Sequence, residues 1–401
     1  MSEFQKTIIV DLDHAEEKYH YRQTIKAAVV DLGSDGGVVI VERGTYTLNG
    51  TGNQTTVEIP SNTTIIGRGD VTINVTSPDI SVFTNTEPTN GNSRINISGF
   101  KIVVNCTSNS YGDQNDVSLI DMKRVSDSVI EKITVSVDQN SRGVYISQER
   151  KPAAIRFIGQ DADHIFGGNV ISQCHIENFG ALYNGSYNYG FGIHLSTYCQ
   201  KNMINNNYIR ACCTCCFIQN NSNHNVFSNN ILCESADVAA GDYYRDRIVG
   251  HCGLLVGCDY TNIIGNQIHN NTEHGIYLST SKRCVVKGNI ITENQVDGIK
   301  MYLNVIHTEK NTIVGNICYG NGTGEFQGEC SGIVLYAGSD YNNVFGNECI
   351  SNYRMGINEV NSANPVPEKN EFIGNLCRLN QFGVDIYVVG TSSDCDHNIT
   401  G

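Results

Sequence analysis

The sequence predicts an all-β chain wound as a right-handed parallel β-helix, and three observations predict it. The first is internal repetition, which is the mark of a solenoid. HGIYLSTSKRCVVKGNIITEN (274–294), DGIKMYLNVIHTEKNTIVGNICYGN (297–321) and SGIVLYAGSDYNNVFGNECISN (331–352) share one pattern. MGINEVNSANPVPEKNEFIGNLCRLN (355–380) and FGIHLSTYCQKNMINNNYIRA (191–211) extend it. The second is the placing of asparagine. A first Asn recurs at Asn169, Asn207, Asn229, Asn266, Asn289, Asn316, Asn347 and Asn375. A second follows five residues on, at Asn271, Asn294, Asn321, Asn352 and Asn380. The third is short strand-like alternation, two or three segments within a period of roughly 22–28 residues.

Each element has a physical reason. A strand of a few residues points alternate side chains inward, so stacked repeats place Ile on Ile and Leu on Leu along the axis. At the corners the chain turns sharply, and Asn and Gly tolerate left-handed backbone angles there. Stacked Asn side chains can also hydrogen-bond from one coil to the next. Leucine-rich repeats share the period but need more Leu and a helix-forming stretch, neither of which is present.

In chain order, residues 14–32 have apolar spacing suited to one amphipathic helix that caps the solenoid, closed by GSDGG. VVIVERGTYTL, TTVEIPSNTTIIGRG and VTINV follow as strands separated by turn residues. Rungs are expected over 37–401, with insertions near 180–190, 234–253 and 322–330, so that 1–401 forms a single domain with a cap at 1–36. The final DHNITG reads as the start of another rung. An open sheet edge invites pairing, so a partner subunit in a homo-oligomer, a trimer, is the expectation there.

Residues 14–67 (the helix, Gly-Gly-x-Val-x-Val, Gly-x-Tyr-x-Leu and Ile-Pro-Ser-Asn-x-Thr-Ile-x-Gly) resemble pectate-lyase-like β-helix proteins. The later rungs resemble the NosD-like, carbohydrate-associated repeat. The resemblance implies a carbohydrate-active β-helix whose ligand is a polysaccharide. That scaffold serves lyases, epimerases, hydrolases, phage tailspikes and proteins without known activity.

Composition narrows the classes further. Of 401 residues 17% are charged, and Gly numbers 40 against 6 Pro. Collagen would need Gly at every third position and a coiled coil would need heptads. Regularly recurring aliphatic residues argue against disorder. A net charge of −14 argues against a nucleic-acid partner. No apolar run approaches a membrane span. The opening MSEFQKTIIVDLDH lacks the long apolar core of a signal peptide, so no secretion address is expected in it.

Sixteen Cys invite disulfide, metal or core readings. Cys318, Cys349 and Cys377 sit two residues after the first Asn, where other repeats place Ile171, Ile209, Ile268 and Ile291. That equivalence makes them small inward apolar residues. Cys212, Cys213, Cys215 and Cys216 lack His ligands at zinc spacing, so no metal is expected. Free thiols in number fit a reducing compartment, whereas the carbohydrate reading fits an extracellular or virion location.

The three insertions emerge at one corner and would wall a groove along the Gly-Ile-x-Leu sheet. They carry Tyr183, Tyr187, Tyr189, Tyr243 and Tyr244, aromatic surfaces suited to sugar faces. An ordinary lid on the solenoid flank is the competing reading. The outward column of the sheet is expected to run Arg156, His194, Ile218, Leu255, Tyr277, Lys300, Val334, Asn358 and Asp385, with Tyr302 and Tyr336 at the next outward position. Two clusters result: Arg156, Tyr189 and His194, and Tyr277, Lys300 and Tyr302.

Uronate chemistry needs a cation on the carboxylate, a base for the C-5 proton and an acid. Those residue types supply it with no cofactor. Tyr189-Gly-Phe-Gly-Ile-His194 is similar to the Tyr-Gly-Phe-Asp-Pro-His segment of mannuronan C-5 epimerases, with Gly192 in the acidic position and Ile193 for Pro. The resemblance implies roles for Tyr189 and His194, and an epimerase or lyase. Glycoside hydrolysis by paired carboxylates is the alternative, with Asp242, Asp246 and His251 of the second insertion as candidates. Asp161, Asp163, Asp113 and Asp116 make acidic pairs common in turns, without a calcium cage. A non-catalytic adhesin or virion spike is the rival from another class.

Overall fold

The computed structural model describes residues 6–12, 21–77, 80–106, 117–138, 152–164, 166–179, 190–235, 251–302, 307–323, 330–360, 365–381, 385–390 and 392–400. The chain divides into two compact units, Met1–Cys213 and Thr214–Gly401. Both are built from short parallel strands stacked coil upon coil.

In the first unit the strands Gly37–Leu48, Thr63–Val75, Ile95–Val104 and Val129–Val137 pair in succession, all in parallel. The next coil breaks this long strand in two. Val170–Ser172 pairs with the first part of Val129–Val137 and His175–Glu177 with the last part. Met203–Asn205 and Tyr208–Arg210 continue both. A separate face stacks Val57–Ile59, Phe83–Asn85, Ile120–Lys123, Ala153–Ile158 and Phe191–Ser196.

Helix α1 spans Ile25–Leu32 and buries Ile25, Ala28, Val29 and Leu32, the i, i+3, i+4 and i+7 positions of one stripe. It packs against the strands Thr7–Val10, Gly37–Leu48 and Val57–Ile59. The expected helix over 14–32 thus starts too early. Tyr21–Arg22 is instead a strand paired with Thr7–Val10. The helix begins after Thr24, whose hydroxyl accepts the Ala27 N–H at 3.2 Å, and Gly33 at φ +73° closes it. Residues 14–20 of that expectation lie outside the described residues.

The second unit has three strands per coil. One column runs Thr214–Ile218, Leu254–Val256, Ile276–Ser279, Ile299–Tyr302, Ile333–Leu335, Ile357–Glu359 and Ile386–Tyr387. The second runs from Val226–Ser228 to Asp394–Asp396, and the third from Ile231–Cys233 to Ile399–Thr400. Inward residues alternate with outward ones and stack like on like. Ile268, Ile291, Cys318, Cys349 and Cys377 are in register and fully buried. The cysteines therefore fill the core as the equivalence with Ile predicts. In the first unit Ile209 pairs with Ile176, while Ile171 pairs with Ile204 one strand earlier, so Ile171 belongs to a different column. All cysteines are free thiols, and all except Cys395 are buried.

Asparagine ladders fix the corners of the second unit. Asn316 shows the bonding: its Oδ1 accepts from Asn289 N at 3.0 Å and Asn289 Nδ2 at 2.9 Å. Its Nδ2 donates to the Val286 carbonyl at 2.9 Å and to Asn347 Oδ1 at 2.9 Å. The buried amide is thereby satisfied on both ends. The series Asn230, Asn266, Asn289, Asn316, Asn347 and Asn375 is one such ladder. Asn271, Asn294, Asn321, Asn352 and Asn380 make another, as expected from the sequence. A third, Asn311, Asn342 and Asn370, stands before the second strand. Two sequence assignments shift. Asn230, not the exposed Asn229, occupies the first ladder, because the left-handed turn falls on Asn229 at φ +55°. In the first unit Asn169 pairs with Asn202 before the second strand, and Cys174 N–H is the group that meets Asn207.

Candidate active site

In the first unit the outward column of the short-strand face is polar: Glu58, Thr84, Asp121, Arg156 and His194 stand in register. Arg156 and His194 are adjacent, as the sequence predicts, but both are almost fully buried. The Arg156 guanidinium forms a two-pronged pair with Asp121, Nε to Oδ1 at 2.8 Å and Nη2 to Oδ2 at 2.9 Å. Lys123 Nζ stands 3.6 Å from the same carboxylate. The charge of Arg156 is thus answered by the chain's own acid, a partner the sequence reading did not foresee. The His194 ring lies 5.2 Å from that of Phe191. Tyr189 lies outside the described residues, as do Tyr183, Tyr187, Tyr243, Tyr244, Asp242 and Asp246. His251 is half-buried, with its backbone N–H on Glu273 Oε2 at 3.2 Å. Asp113 and Asp116 are also outside. Asp161 Oδ1 accepts from Asp163 N, His164 N and His164 Nδ1, which holds its carboxyl below the usual range and makes it a turn residue.

In the second unit Leu255, Tyr277, Lys300, Val334 and Asn358 follow one another in register. The ends of the expected column change. Leu255 pairs with Phe217 rather than Ile218, and Asn358 with Tyr387 rather than Asp385. Each loop length before these strands moves the register, which sequence spacing alone cannot fix.

Lys300 is the centre of this face. Its ammonium stands 5.9 Å from the ring centres of Tyr277 and Tyr302 and 5.5 Å from that of Tyr336. Three π faces around one cation hold it with little solvent, and Lys300 is only 9% exposed. Tyr302 and Tyr336 are themselves 5.3 Å apart and rest on Val334, Ala337 and Val360.

Beside the cage stand two residues that the sequence reading passed over. His274 and Asp297 each precede a Gly-Ile pair, in HGIY and DGIK, and that polar residue at a buried corner was the available signal. Asp297 is fully buried. Its Oδ1 accepts the N–H groups of Cys330 and Ser331, both at 2.9 Å. Its Oδ2 faces His274 Nδ1 at 3.2 Å. Burial acts to raise this carboxyl, but the neighbouring His274 imidazole, the charge of Lys300 and the Ser331 N–H outweigh it and hold it below the usual range. The His274 ring meets Tyr277 edge-on at 5.4 Å. Burial first, then Cys252 and Tyr302, push the Tyr277 phenol well above its ordinary value, so it stays protonated. Among the described residues no cluster of His, Cys, Asp or Glu is suited to hold a metal ion.

Comparison with known proteins agrees with the fold. A family model described as right handed beta helix region matches residues 252–400. No curated protein matches by sequence. Among solved structures, the A-module of Azotobacter vinelandii mannuronan C-5 epimerase AlgE4 superposes with a TM-score of 0.67 at 13% identity, covering 93% of this chain and 94% of that one. The AlgE6 A-module of the same organism gives 0.60 at 14% identity, covering 94% of each chain. A tailspike protein mutant of E. coli bacteriophage HK620, in complex with pentasaccharide, gives 0.65 at 12% identity, covering 94% of this chain and 70% of that one. At such identities the likeness is one of fold. No helix of the described residues is long and apolar enough to cross a membrane.

Proposed function

We propose that this chain is a carbohydrate-active β-helix enzyme that acts on an acidic polysaccharide by abstracting the C-5 proton of a uronate. The observation that carries the reading is the Lys300 ammonium held among Tyr277, Tyr302 and Tyr336 on the outward sheet face. A desolvated cation there would pair with the uronate carboxylate and acidify the carbon next to it. His274, whose Nδ1 stands 3.2 Å from Asp297, takes the proton as a neutral imidazole, and Tyr277, beside the Lys300 ammonium, is the acid. The structural likeness to mannuronan epimerases and to a saccharide-bound tailspike supports a carbohydrate ligand.

His274 and Tyr277 are in contact, so both address one side of a sugar placed over Lys300. That arrangement suits elimination, in which base and acid act on neighbouring atoms, better than epimerisation, which needs groups on both faces of the ring. The proton leaves C-5 for His274, the C-4 to oxygen bond breaks, and Tyr277 protonates the departing oxygen. His194 is the second proposed proton-transfer group, next to Arg156, whose guanidinium stays charged and is held by Asp121. α1 is proposed to close the N-terminal end of the stack. A homo-oligomer, with a trimer as the proposed form, is left to a measurement of solution mass.

The test is incubation with polymannuronate, polygalacturonate, heparosan and a neutral glucan, followed by NMR of the products. Unsaturated ends from an acidic polymer are the expected result, and inverted C-5 centres would place the chemistry with the epimerases. Lys300→Met against His194→Ala tells which pair is used. New reducing ends without unsaturation would move the reading to Asp242 and Asp246. Binding without any product would identify an adhesin or spike.

A further inference from the structure

At each corner of the second unit the residue before the ladder position adopts left-handed backbone angles. Between the second and third strands Asn229 and His397 stand at the two ends of the series, with φ +55° and +51°, and the coils between them carry Gly265, Gly288, Gly315, Gly346 and Gly374, with φ between +61° and +66°. A Cβ on the last four would meet nothing within 4 Å. These glycines therefore serve the backbone angle and not a lack of space.

The corner before the second strand makes the same demand and is filled quite differently. His224, Tyr260, Arg283, Lys310, Tyr341 and Lys369 occupy it in successive coils, with φ between +54° and +60°. The backbone bonding is the same as well: Tyr260 N–H reaches the Lys282 carbonyl at 2.9 Å, as Gly265 N–H reaches that of Lys287 at 3.0 Å. L-residues are disfavoured in this conformation, so large side chains held there point to a use for them. The third corner is mixed, running from Glu234 to Leu379, and shows no such succession.

The side chains of this edge form a stack of rings and cations. His224 stacks on Tyr260 at 4.7 Å, and the Arg283 guanidinium lies 5.3 Å from the Tyr260 ring centre and donates to its hydroxyl. Lys310 and Lys369 stand 5.9 and 4.8 Å from the ring centre of Tyr341, and Lys369 Nζ donates to the Tyr341 hydroxyl at 2.7 Å. Acids share the edge, but several are turned to other partners. Asp259 Oδ1 accepts the Lys282 N–H, and Asp340 accepts the Glu368 N–H and faces His307 Nδ1, all at 2.8 Å. Glu309 pairs with Lys282 at 3.0 Å and stands 3.7 Å from Lys310. Glu368 is exposed. Arg283, Lys310, Tyr341 and Lys369 are exposed on a chain whose net charge is −14.

We propose that this edge is a binding ridge for an acidic polysaccharide, distinct from the Lys300 face. It takes its ligand class from the function proposed above. Rings hold the cations in place before the ligand arrives, which lowers the ordering cost of binding. Coils repeat at about 4.8 Å, a spacing comparable to that of successive sugar rings. An extended polyuronate laid along the edge would meet a cation or a phenol hydroxyl at each coil.

The test uses the whole chain and two variant sets. One replaces Tyr260, Arg283, Lys310, Tyr341 and Lys369 together by Gly, the residue that suits the backbone angle. The other changes Arg283, Lys310 and Lys369 to Gln. Binding of polymannuronate and polygalacturonate, with dextran as the neutral control, is measured at low and moderate salt. Both sets should weaken acidic-polymer binding by roughly tenfold or more and flatten its salt dependence, while melting temperature is retained. Lys300→Met should lose turnover and keep ridge binding, so failure of the proposed chemistry and failure of the ridge are separable. Undiminished binding by both sets would overturn the ridge, as would absence of acidic-polymer binding by the unaltered chain.

Discussion

His274 Nδ1 lies 3.2 Å from Asp297 Oδ2, and the Asp297 carboxylate has no exposure to solvent. Its other oxygen is fixed by two backbone N–H groups. The imidazole stands beside this carboxylate and meets the Tyr277 ring edge-on.

A pH dependence follows from the depressed Asp297 carboxyl. Its folded value lies below the reference 3.8, so its stabilisation is present above that pH and is lost as pH falls through the folded value. Asp297→Asn should cost on the order of 1–3 kcal/mol near neutrality. The stability gap between the two proteins should close on acidification below about pH 4. Denaturant melts of both across that range check it, and a gap that widens in acid would contradict the assignment.

Arg156 and Asp121 form a buried pair with two hydrogen bonds. Removing either partner leaves an uncompensated charge, at a cost of roughly 3–5 kcal/mol. Asp121→Ala with Arg156→Ala should therefore be less destabilised than the sum of the single variants. A double-mutant cycle measured by equilibrium unfolding tests this, and strict additivity would show that the pair is not coupled.

The ladder makes a different prediction. Asn316→Ala strands buried groups on Asn289 and Asn347 and should cost on the order of 2–4 kcal/mol. Substitution of the neighbouring Gly315, whose Cβ would enter open space at φ +61°, should cost only about 1–2 kcal/mol. Equal effects would mean that the amide ladder adds nothing beyond turn geometry.

Thiol labelling tests the core. Burial pushes Cys174, Cys199 and Cys284 up to about 12, and thiolates are the reactive form. The native protein should label at Cys395, the denatured protein at all 16 cysteines. Native Cys395→Ser should be nearly inert. Rapid native labelling of Cys318, Cys349 or Cys377 would contradict their place in the stack.

Much of this architecture could be read from residue order because solenoid coils repeat their reasons. Ile268, Ile291 and Cys318 share a column since each follows a ladder Asn by two residues, and the second Asn series was legible throughout. Loops of changing length defeated spacing, as at Phe217 and Tyr387, where register depends on how each loop closes. Asn229 was mistaken for Asn230 because two neighbouring amides fit one pattern while the turn accepts one of them. Tyr277, Lys300 and Tyr302 were visible as outward residues of adjacent repeats. His274 and Asp297 were not, because a polar residue before Gly-Ile looks like an exposed corner until the coils are stacked. Asp121 escaped notice for another reason, since its partner Arg156 is 35 residues along the chain.

The measurement that bears most directly on the proposed chemistry is NMR of polymannuronate and polygalacturonate after incubation with the protein in deuterated water. Deuterium at C-5, or olefinic signals from unsaturated ends, should appear with the unaltered chain. Lys300→Met should lose either signal by roughly a hundredfold or more. The absence of both signals with the unaltered chain, or their persistence in Lys300→Met, would contradict proton abstraction at the Lys300 face.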